Sequence, residues 1–455
     1  MVIAELVACH KVHYDTSYRP EFSTDTVMFD TVFTTIGSVT KQLIVYNRSS
    51  DWMRISEISL AGNNSKFRLN IDGKQENSAT NVEIAPNDSI YIFVEVTVDP
   101  NGANNPMVIH DSIIFMTDNY FTDIDLVAFG QDCHKFNGQM FNSQTWVNDK
   151  PYLIFNSMAV DTNQTLTIEA GCTVHFHRSS CMFVLGTLKV NGSLESPVTF
   201  RGDRLEHIYD DIPGQWGYIY LLPGSRNNKI NYAVIKNGVV GLLVADTVPD
   251  NTSVTVSNTK IENMSIAGIF GQESVITADN CLVDNCGQYA VVFSRGGSYE
   301  FYHCTIANYW GYSNRSTPAL VLNNYYEEPE GQFNVVQLKK AYFANCIIYG
   351  NREDEIFLDE YPGTDQYFSY EFDHCLVKTT SSIFTNNDIL HFTDIIRNLD
   401  PNFISAWEND FQLDTLSAAK DMGDPDIGNM FPSDINGVSR ISDGKPDLGA
   451  FERVE

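Results

Sequence analysis

The hexapeptide NCLVDN, residues 280–285, returns in variant form through the second half of this chain. The other copies are NYAVIKN from Asn231, NTKIEN from Asn258, HCTIAN from His303, NCIIYGN from Asn345 and HCLVK from His374. The six copies begin 27, 22, 23, 42 and 29 residues apart. A repeat of this length indicates stacked coils, in which each coil buries the apolar face of its neighbour.

The interior of each copy predicts strands, because β-branched and aromatic residues alternate with polar ones at a period of two. No run of about a dozen residues keeps an apolar stripe of helical period. In a parallel β-coil, equivalent side chains stack about 4.8 Å apart. The stacking predicts two columns: one of Tyr232, Thr259, Cys281, Cys304, Cys346 and Cys375, and an asparagine ladder of Asn237, Asn263, Asn285 and Asn308. The column cysteines are interpreted as small apolar fillers and not as disulfides.

Residues 150–455 resemble the right-handed parallel β-helix proteins, the pectin-lyase-like architecture. The resemblance rests on LTIEAGCTVHF from Leu166, LGTLKVNGSLESPVTFRG from Leu185 and GQWGYIYLLPGSRNNKINYAVIKN from Gly214. The end of the chain, AAKDMG and then GVSRISDGKPDLGAFE, resembles the closing motif of that architecture. The resemblance implies the fold and leaves function open, because such coils carry lyases, hydrolases, adhesins and spacers.

Seven short alternating runs lie between Phe22 and Asp132, with turn residues between them about every ten residues. This spacing is typical of an antiparallel β-sandwich. The block resembles the immunoglobulin-like modules of the ASPM/SPD-2/Hydin type in its DTVF strand, VYN strand end, APNDS turn and final GQD. The fold class is therefore predicted as all-β, a right-handed single-stranded parallel β-helix preceded by an immunoglobulin-like β-sandwich.

These patterns suggest five segments along the chain. They are an N-terminal tether (1–21), the sandwich (22–132), a connector (133–152), the β-helix (153–415) and its closing segment (416–455).

The chain carries 58 acidic and 29 basic residues, a formal net charge of −29. Such a charge repels phosphate backbones, so nucleic acid is excluded as a partner, and it disfavours polyanionic glycans. No stretch approaches the roughly 20 apolar residues that span a bilayer, so no transmembrane segment is expected.

LVAC, ending at Cys9, resembles a bacterial lipobox, in which the cysteine becomes the lipidated first residue. Only eight residues precede Cys9, and Glu5 interrupts them. Cys9 is therefore either a lipidation site or an incidental cysteine of the N-terminus. With this interpretation the chain resembles bacterial surface lipoproteins. It would then lie in the bacterial cell envelope, as an outer-membrane lipoprotein or a periplasmic or secreted protein.

Catalytic residues are not evident from sequence. The resemblance to β-helix proteins implies that a glycosidase of this architecture would carry several Asp on adjacent coils. The nearest match here is Asp210 with Asp211, in a loop before GQW. Adjacent Asp residues are also ordinary turn residues. Cysteine and histidine spacing predicts no metal site, and no cofactor is predicted, with calcium left open by the acidic loops.

Two long insertions carry aromatic and acidic residues, NYWGYSNRS with LNNYYEEPEG and then REDEIFLDEYPGTDQYFSYEFD. Insertions at equivalent repeat positions lie on one face, so they are expected to adjoin. The candidate ligand-binding residues are Trp310, Tyr312, Tyr325, Tyr326, Glu328 and Tyr361. These rings alternatively pack the loops together.

Three functions follow from these patterns. The leading hypothesis is a non-catalytic surface or periplasmic protein that holds the β-helix on a sandwich stalk and binds a glycan or a surface protein through the insertions. The alternatives are a polysaccharide lyase or glycoside hydrolase, and a purely structural surface protein.

Overall fold

The computed structural model describes residues 13, 14, 17, 19–102, 106–246, 253–442 and 444–453. The chain divides into two compact units, which meet in sequence between Cys133 and His134.

The first unit is a β-sandwich. Its two sheets have the strand orders β1-β3-β7-β5 and β2-β9-β8-β4-β6, and all pairs are antiparallel except β2 with β9. Alternate residues such as Val45, Phe67 and Phe115 point between the sheets and are fully buried there. The strands are β1 Glu21–Phe22, β2 Thr26–Phe33, β3 Lys41–Tyr46, β4 Met53–Leu60, β5 Phe67–Ile71, β6 Ser78–Ile84, β7 Ser89–Val96, β8 Met107–Met116 and β9 Phe121–Gln131.

The second unit is a parallel β-helix with a short helix, α1 (Pro425–Met430), and 3₁₀ turns at His207–Tyr209, Asp365–Tyr367 and Ala406–Glu408. Its strands are β10 His134–Phe141, β11 Gln144–Trp146, β12 Tyr152–Val160, β13 Thr165–Glu169, β14 Thr173–Phe176, β15 Met182–Val184, β16 Thr187–Asn191, β17 Val198–Gly202, β18 Ile219–Leu221, β19 Asn228–Asn231, β20 Ala233–Lys236, β21 Val240–Ala245, β22 Val254–Ser257, β23 Lys260–Glu262, β24 Ala267–Gln272, β25 Val275–Asp279, β26 Leu282–Asp284, β27 Tyr289–Ser294, β28 Gly297–Tyr302, β29 Thr305–Asn308, β30 Leu320–Asn323, β31 Tyr325–Glu327, β32 Phe333–Val335, β33 Leu338–Ala344, β34 Ile347–Gly350, β35 Ile356–Asp359, β36 Glu371–Asp373, β37 Leu376–Val377, β38 Phe392–Thr393, β39 Ile396–Arg397, β40 Phe403–Ser405 and β41 Asp410–Leu413.

Each coil from β13 to β35 contributes one strand to each of three parallel columns, and the last two coils contribute to columns A and B. Column A runs from β11 through β13, β16, β19, β22, β25, β28, β33 and β36 to β38. Column B contains β14, β17, β20, β23, β26, β29, β34, β37 and β39, and column C contains β15, β18, β21, β24, β27, β30 and β35. We call the A-to-B turn the first corner, the B-to-C turn the second corner and the C-to-A turn the third corner.

The cysteine column is confirmed by the register of column B. Leu282 pairs with Thr305, Thr305 with Ile347 and Ile347 with Leu376. The residue before each of these is a buried cysteine with a free thiol: Cys281, Cys304, Cys346 and Cys375.

The prediction that Tyr232 belongs to this column is wrong. Val234 pairs with Lys260, so Ala233 is the residue in register with Thr259. NYAVIKN has one residue more than NTKIEN, and Tyr232 takes the corner position instead. The first-corner residues share a left-handed backbone, with φ of +47° at Tyr232, +49° at Asn258 and Asn280, +48° at His303 and His374, and +52° at Asn345. Asparagine adopts this conformation more readily than most residues, which explains its recurrence there.

The predicted asparagine ladder at the second corner is present in part. Asn263 Nδ2 donates to Asn237 Oδ1 at 2.7 Å. Asn285 donates instead to Asn409, and Asn308 exchanges two hydrogen bonds with the backbone of Cys286. A second ladder, which the sequence analysis did not predict, runs along the first corner, where Asn280 donates to Asn258 at 3.2 Å and Asn258 to Asn231 at 3.0 Å.

The coil stack begins earlier than residue 153. The segment expected to be a connector contains β10, which pairs in parallel with β12, and β11, which pairs with β13. Its Trp146 is buried and stacks on Tyr152 at 4.3 Å, so these residues close the end of the coil interior.

The chain after β39, residues 398–453, folds back over the outer face of column B, and from here on we call this whole stretch the closing segment. Phe411, Ile435 and Phe451 pack on Leu282 and Ala307. The fully buried Arg440 side chain, on the same segment, donates to Asn280 Oδ1 at 2.9 Å.

Candidate functional site

The predicted site residues lie at two different corners of the coil. Asp210 and Asp211 belong to the second-corner loop between β17 and β18, and Trp310 and Tyr312 to the second-corner loop between β29 and β30. Tyr325, Tyr326, Glu328 and Tyr361 lie at the third corner. The insertions therefore do not form a single face.

A cavity of about 520 Å³ opens at the second corner, and we call it the corner cleft. It joins loops from distant coils with part of the closing segment. Its lining residues are Asp211, Asn263, Asn285, Tyr309, Trp310, Gly311, Tyr312, Trp407, Glu408 and Asn409. The structure thus brings Asp211 together with Trp310 and Tyr312, across about a hundred residues of sequence.

Aromatic rings form the walls of the corner cleft. Trp407 is 67% exposed and Tyr312 is 55% exposed, whereas Trp310 is buried. Trp310 is held from both sides, because its Nε1 donates to Ser313 Oγ at 2.9 Å and its ring lies 5.0 Å from that of Tyr312. Exposed rings fixed beside a cavity offer flat apolar surfaces to a ligand.

The two adjacent aspartates have different environments. Asp210 receives hydrogen bonds from His207 at 2.6 Å and Arg201 at 2.8 Å, and these contacts lower the pKa of Asp210. Asp211 is 70% exposed, and its carboxylate lies 3.6 Å from Lys236 Nζ. Of the pair, only Asp211 lines the cleft, so Asp210 serves to hold the loop.

The second-corner ladder fixes this loop to the coils. Asn237 Nδ2 donates to the Asp210 carbonyl at 2.8 Å, and Asn263 Nδ2 donates to the Asp211 carbonyl. Tyr312 also donates its hydroxyl to the Asp211 carbonyl. The loops that carry Asp211 and Tyr312 are thus bonded to each other across the cleft.

A buried ion pair supports the loop that carries Trp310. Arg315 and Glu355 are 1% and 0% exposed, and their closest nitrogen and oxygen lie 2.6 Å apart. Arg315 also donates to the Asn308 carbonyl, and Glu355 accepts from the Ala319 and Arg352 amides. Burial raises the pKa of Glu355, and Arg315 opposes that shift.

A second cavity of about 640 Å³ borders this loop. It shares Trp310 and Gly311 with the corner cleft and is otherwise polar, with Arg352, Glu353 and Asp354 in its lining.

Two acidic residues lie on the strands that lead into the corner cleft. Glu262 precedes Asn263, Asp284 precedes Asn285, and the two acids pair in register on β23 and β26. Asp284 is fully buried, and no described residue donates a hydrogen bond to its carboxylate. Burial and the neighbouring charge of Glu262 raise the pKa of Asp284 well above its ordinary value. Burial also raises the pKa of Glu262, against the opposing effects of Lys236 and Lys260.

The rings at the third corner contact one another. Tyr325 lies 5.4 Å from Tyr361 and 5.9 Å from Phe333, and Arg295 stacks over Tyr326 at 4.4 Å. Asn334 donates to Glu328 at 2.7 Å across the β31–β32 hairpin. The two insertions therefore adjoin here, and their rings pack the loops together.

Trp407, Glu408 and Asn409 are cleft residues that sequence reasoning missed. They belong to the fold-back of the closing segment, and no repeat or motif marks them. Asn263 and Asn285 were predicted as ladder residues only.

One comparison with known protein families agrees with this architecture. The family model "Right handed beta helix region" matches residues 154–306. No curated protein matches the chain.

Three solved structures show low similarity to the chain. The catalytic unit of a GH87 alpha-1,3-glucanase from Streptomyces thermodiastaticus is 12% identical, with a TM-score of 0.25 over 74% of this chain and 79% of that one. The PapD-like domain 7 of human CEP192 is 10% identical, with a TM-score of 0.18, and the match covers 29% of this chain and 96% of that domain. A family 123 glycoside hydrolase from Clostridium perfringens is 11% identical, with a TM-score of 0.17. The match covers 27% of this chain and 26% of that one, so this chain spans about a quarter of that protein.

Two predictions about membranes have different outcomes. None of the described helices is long and apolar enough to cross a bilayer. Cys9, the candidate lipidation site, lies outside the described residues.

Proposed function

We propose that the β-helical unit binds an uncharged carbohydrate chain in the corner cleft. The observation that carries this proposal is the position of Trp407, which is largely exposed and lines the cleft together with Tyr312. The apolar faces of sugar rings stack on aromatic side chains of this kind. The stacking removes apolar surface from water on both partners.

The polar lining suits sugar hydroxyls. Asn285 and Asn409 supply amide groups, and Asp211 and Glu408 supply carboxylate oxygens that accept hydrogen bonds. The net charge of −29 disfavours uronate or sulfated chains, which would bring further negative charge to the cleft.

The test is glycan-array screening of the full chain, followed by calorimetry with the best neutral oligosaccharide. Trp407→Ala is expected to weaken binding by about tenfold or more, since an aromatic anchor contributes about 2 kcal/mol or more. Trp407→Phe keeps a ring and should retain most of the affinity. Tyr91→Ala, at a ring of the sandwich unit that is 45% exposed, serves as the control.

Binding of oligosaccharide that is unchanged in Trp407→Ala would refute the cleft as the site. Absence of any glycan ligand, with capture of a protein partner instead, would favour the surface-protein alternative over the glycan.

Catalysis is the alternative, and one observation favours it. Asp211 and Glu408 both line the corner cleft, as two carboxylates that flank a glycosidic bond would. The described lining residues include no lysine or arginine, so the paired carboxylates favour a hydrolase over a lyase. Release of reducing sugar by the wild type, abolished in both Asp211→Asn and Glu408→Gln, would establish a hydrolase and displace the binding proposal.

The location proposed for this activity is the bacterial cell envelope, with Cys9 as the lipid attachment site. The support is the LVAC sequence. Metabolic labelling with a fatty acid, lost in Cys9→Ala, tests it directly, and unlabelled wild-type protein would contradict it.

A further inference from the structure

Asp373, His374 and Asp424 meet beside the first corner of a late coil. Asp373 ends β36, His374 is the corner residue that follows it, and Asp424 lies immediately before α1 in the closing segment. Each residue offers a ligand atom, and these atoms all lie within 4.8 Å of one another. Atoms at this separation can coordinate one ion at the usual metal–ligand distances of about 2.0–2.4 Å.

A third carboxylate lies on the other side of the imidazole. Asp394 Oδ2, from the next coil, lies 3.2 Å from His374 Nε2, while His374 Nδ1 lies 2.7 Å from Asp373 Oδ1. Within the described part of the chain, no lysine or arginine forms an ion pair with Asp373, Asp394 or Asp424. One imidazole therefore faces three carboxylates, a concentration of negative charge that a cation would neutralise.

The ligand atoms are held in place by neighbours outside the group. Tyr342 donates its hydroxyl to Asp373 Oδ2 at 2.8 Å, and the Asp426 amide donates to Asp424 Oδ1 at 2.9 Å. The Asn345 side chain donates to the Asp424 carbonyl and accepts from the Asp424 amide. Supporting hydrogen bonds of this kind orient the ligands of protein metal sites.

We propose that Asp373, His374 and Asp424 bind a divalent transition metal ion. The mixture of one imidazole nitrogen with carboxylate oxygens suits Zn²⁺ or Mn²⁺ better than Ca²⁺, which prefers oxygen ligands throughout. The ion ties the start of α1 to the coil that carries His374. It therefore fastens the closing segment to the β-helix.

The experiment is calorimetric titration of the full chain with ZnCl₂, MnCl₂ and CaCl₂ after chelator treatment and dialysis. The wild type is expected to bind one Zn²⁺ or Mn²⁺ per chain and to gain thermal stability from it. His374→Asn and Asp424→Asn are each expected to weaken this binding by about tenfold or more.

Both substitutions preserve the local structure. Asn already occupies the equivalent corner position at Asn280 and Asn345 with the same backbone conformation. An Asn at position 424 can still accept the Asp426 amide as the N-cap of α1. Asp421→Asn, in the same segment but outside the group, is the matched control and should bind like the wild type.

Three results would overturn the proposal. They are wild-type protein that binds neither Zn²⁺ nor Mn²⁺, variants His374→Asn and Asp424→Asn that bind with wild-type affinity, and weak binding of several ions of all three metals that is equal in every variant. The last result would mean only that the acidic surface attracts cations.

Discussion

Glu262 and Asp284 lie directly beside each other on adjacent parallel strands, and no described residue donates a hydrogen bond to the Asp284 carboxylate. Leu282, on the same face of β26, is covered by Phe411 and Phe451 of the closing segment. Two ionised carboxylates this close, with one fully buried, would repel each other in a medium of low dielectric constant. Burial and this repulsion therefore raise the pKa of Asp284 and favour its protonated form in the folded chain.

The first prediction concerns pH. Because folding raises the pKa of Asp284, its contribution to stability is fully present below its unfolded pKa and is lost as the pH rises toward the folded pKa. Asp284→Asn keeps the shape and cannot ionise. The variant should therefore gain stability relative to the wild type between pH 5 and pH 8, by about 1.4 kcal/mol for each unit of pKa shift that falls in this window.

Denaturant titrations of both proteins at several pH values measure this difference. The comparison with the variant removes the effects of other titrating groups. One is the buried His303, whose pKa is lowered by burial, so that its contribution to stability increases as the pH rises. A stability difference that is flat across this pH range would show that Asp284 is already ionised in the folded chain.

The second prediction concerns the buried pair Arg315 and Glu355. Arg315→Met alone should destabilise the chain by about 3–5 kcal/mol, since it leaves the Glu355 carboxylate buried without its partner. Arg315→Met with Glu355→Leu should recover much of this loss. The partly exposed pair Lys340 and Glu300 provides a control, and Lys340→Met should cost about 1 kcal/mol or less.

Chemical denaturation followed by tryptophan fluorescence measures these changes. If the single variant at Arg315 loses no more stability than the variant at Lys340, the pair does not anchor the loop that carries Trp310.

The third prediction concerns the left-handed corner at Asn263, where φ is +59°. Asn263→Gly removes the amide contacts to Asn237 and Asp211 but suits the backbone conformation. Asn263→Ala loses the same contacts and adds about 1 kcal/mol or more of backbone strain. The alanine variant should therefore be the less stable of the two, and equal melting temperatures would contradict the role assigned to the backbone.

The fourth prediction concerns the cysteine column. Burial raises the pKa of Cys281, Cys304 and Cys346 well above the ordinary thiol value, so their reactive thiolate forms are suppressed. Iodoacetamide at pH 8 should leave these residues unmodified until denaturant is added, while the half-buried Cys133 reacts in the folded chain. Mass spectrometry of the labelled peptides provides the measurement, and early labelling of Cys304 would contradict the stacked interior.

Much of the fold could be read from the sequence because coil stacking repeats the same environment. Cys281, Cys304, Cys346 and Cys375 occupy equivalent interior positions, so the same residue type recurs and is visible as a pattern. Tyr232 was misplaced because its copy has one extra residue, and a count from the first Asn then shifts the register. The pairing of Val234 with Lys260 fixes that register from the other end.

The cleft was less accessible to sequence reasoning. Trp310 and Tyr312 could be proposed because they belong to an insertion in the repeat, which interrupts its spacing. Trp407 could not, since its place beside them depends on how the closing segment folds back, and that path depends on long-range packing of Phe411 and Phe451. Tyr325 and Tyr361 share the composition of a binding surface, yet contact each other instead.

The closing segment also dictates an order of events during synthesis. Arg440 bonds to Asn280 and the Ala450 amide bonds to Thr305, contacts that span 160 and 145 residues of chain. The coils of a nascent chain can form as they leave the ribosome. The apolar surface around Leu282 stays exposed to solvent until translation has passed residue 450. Contacts so distant in sequence form late. During this interval the partly synthesised chain exposes the most apolar surface. It is then most prone to aggregation and is a substrate for chaperones.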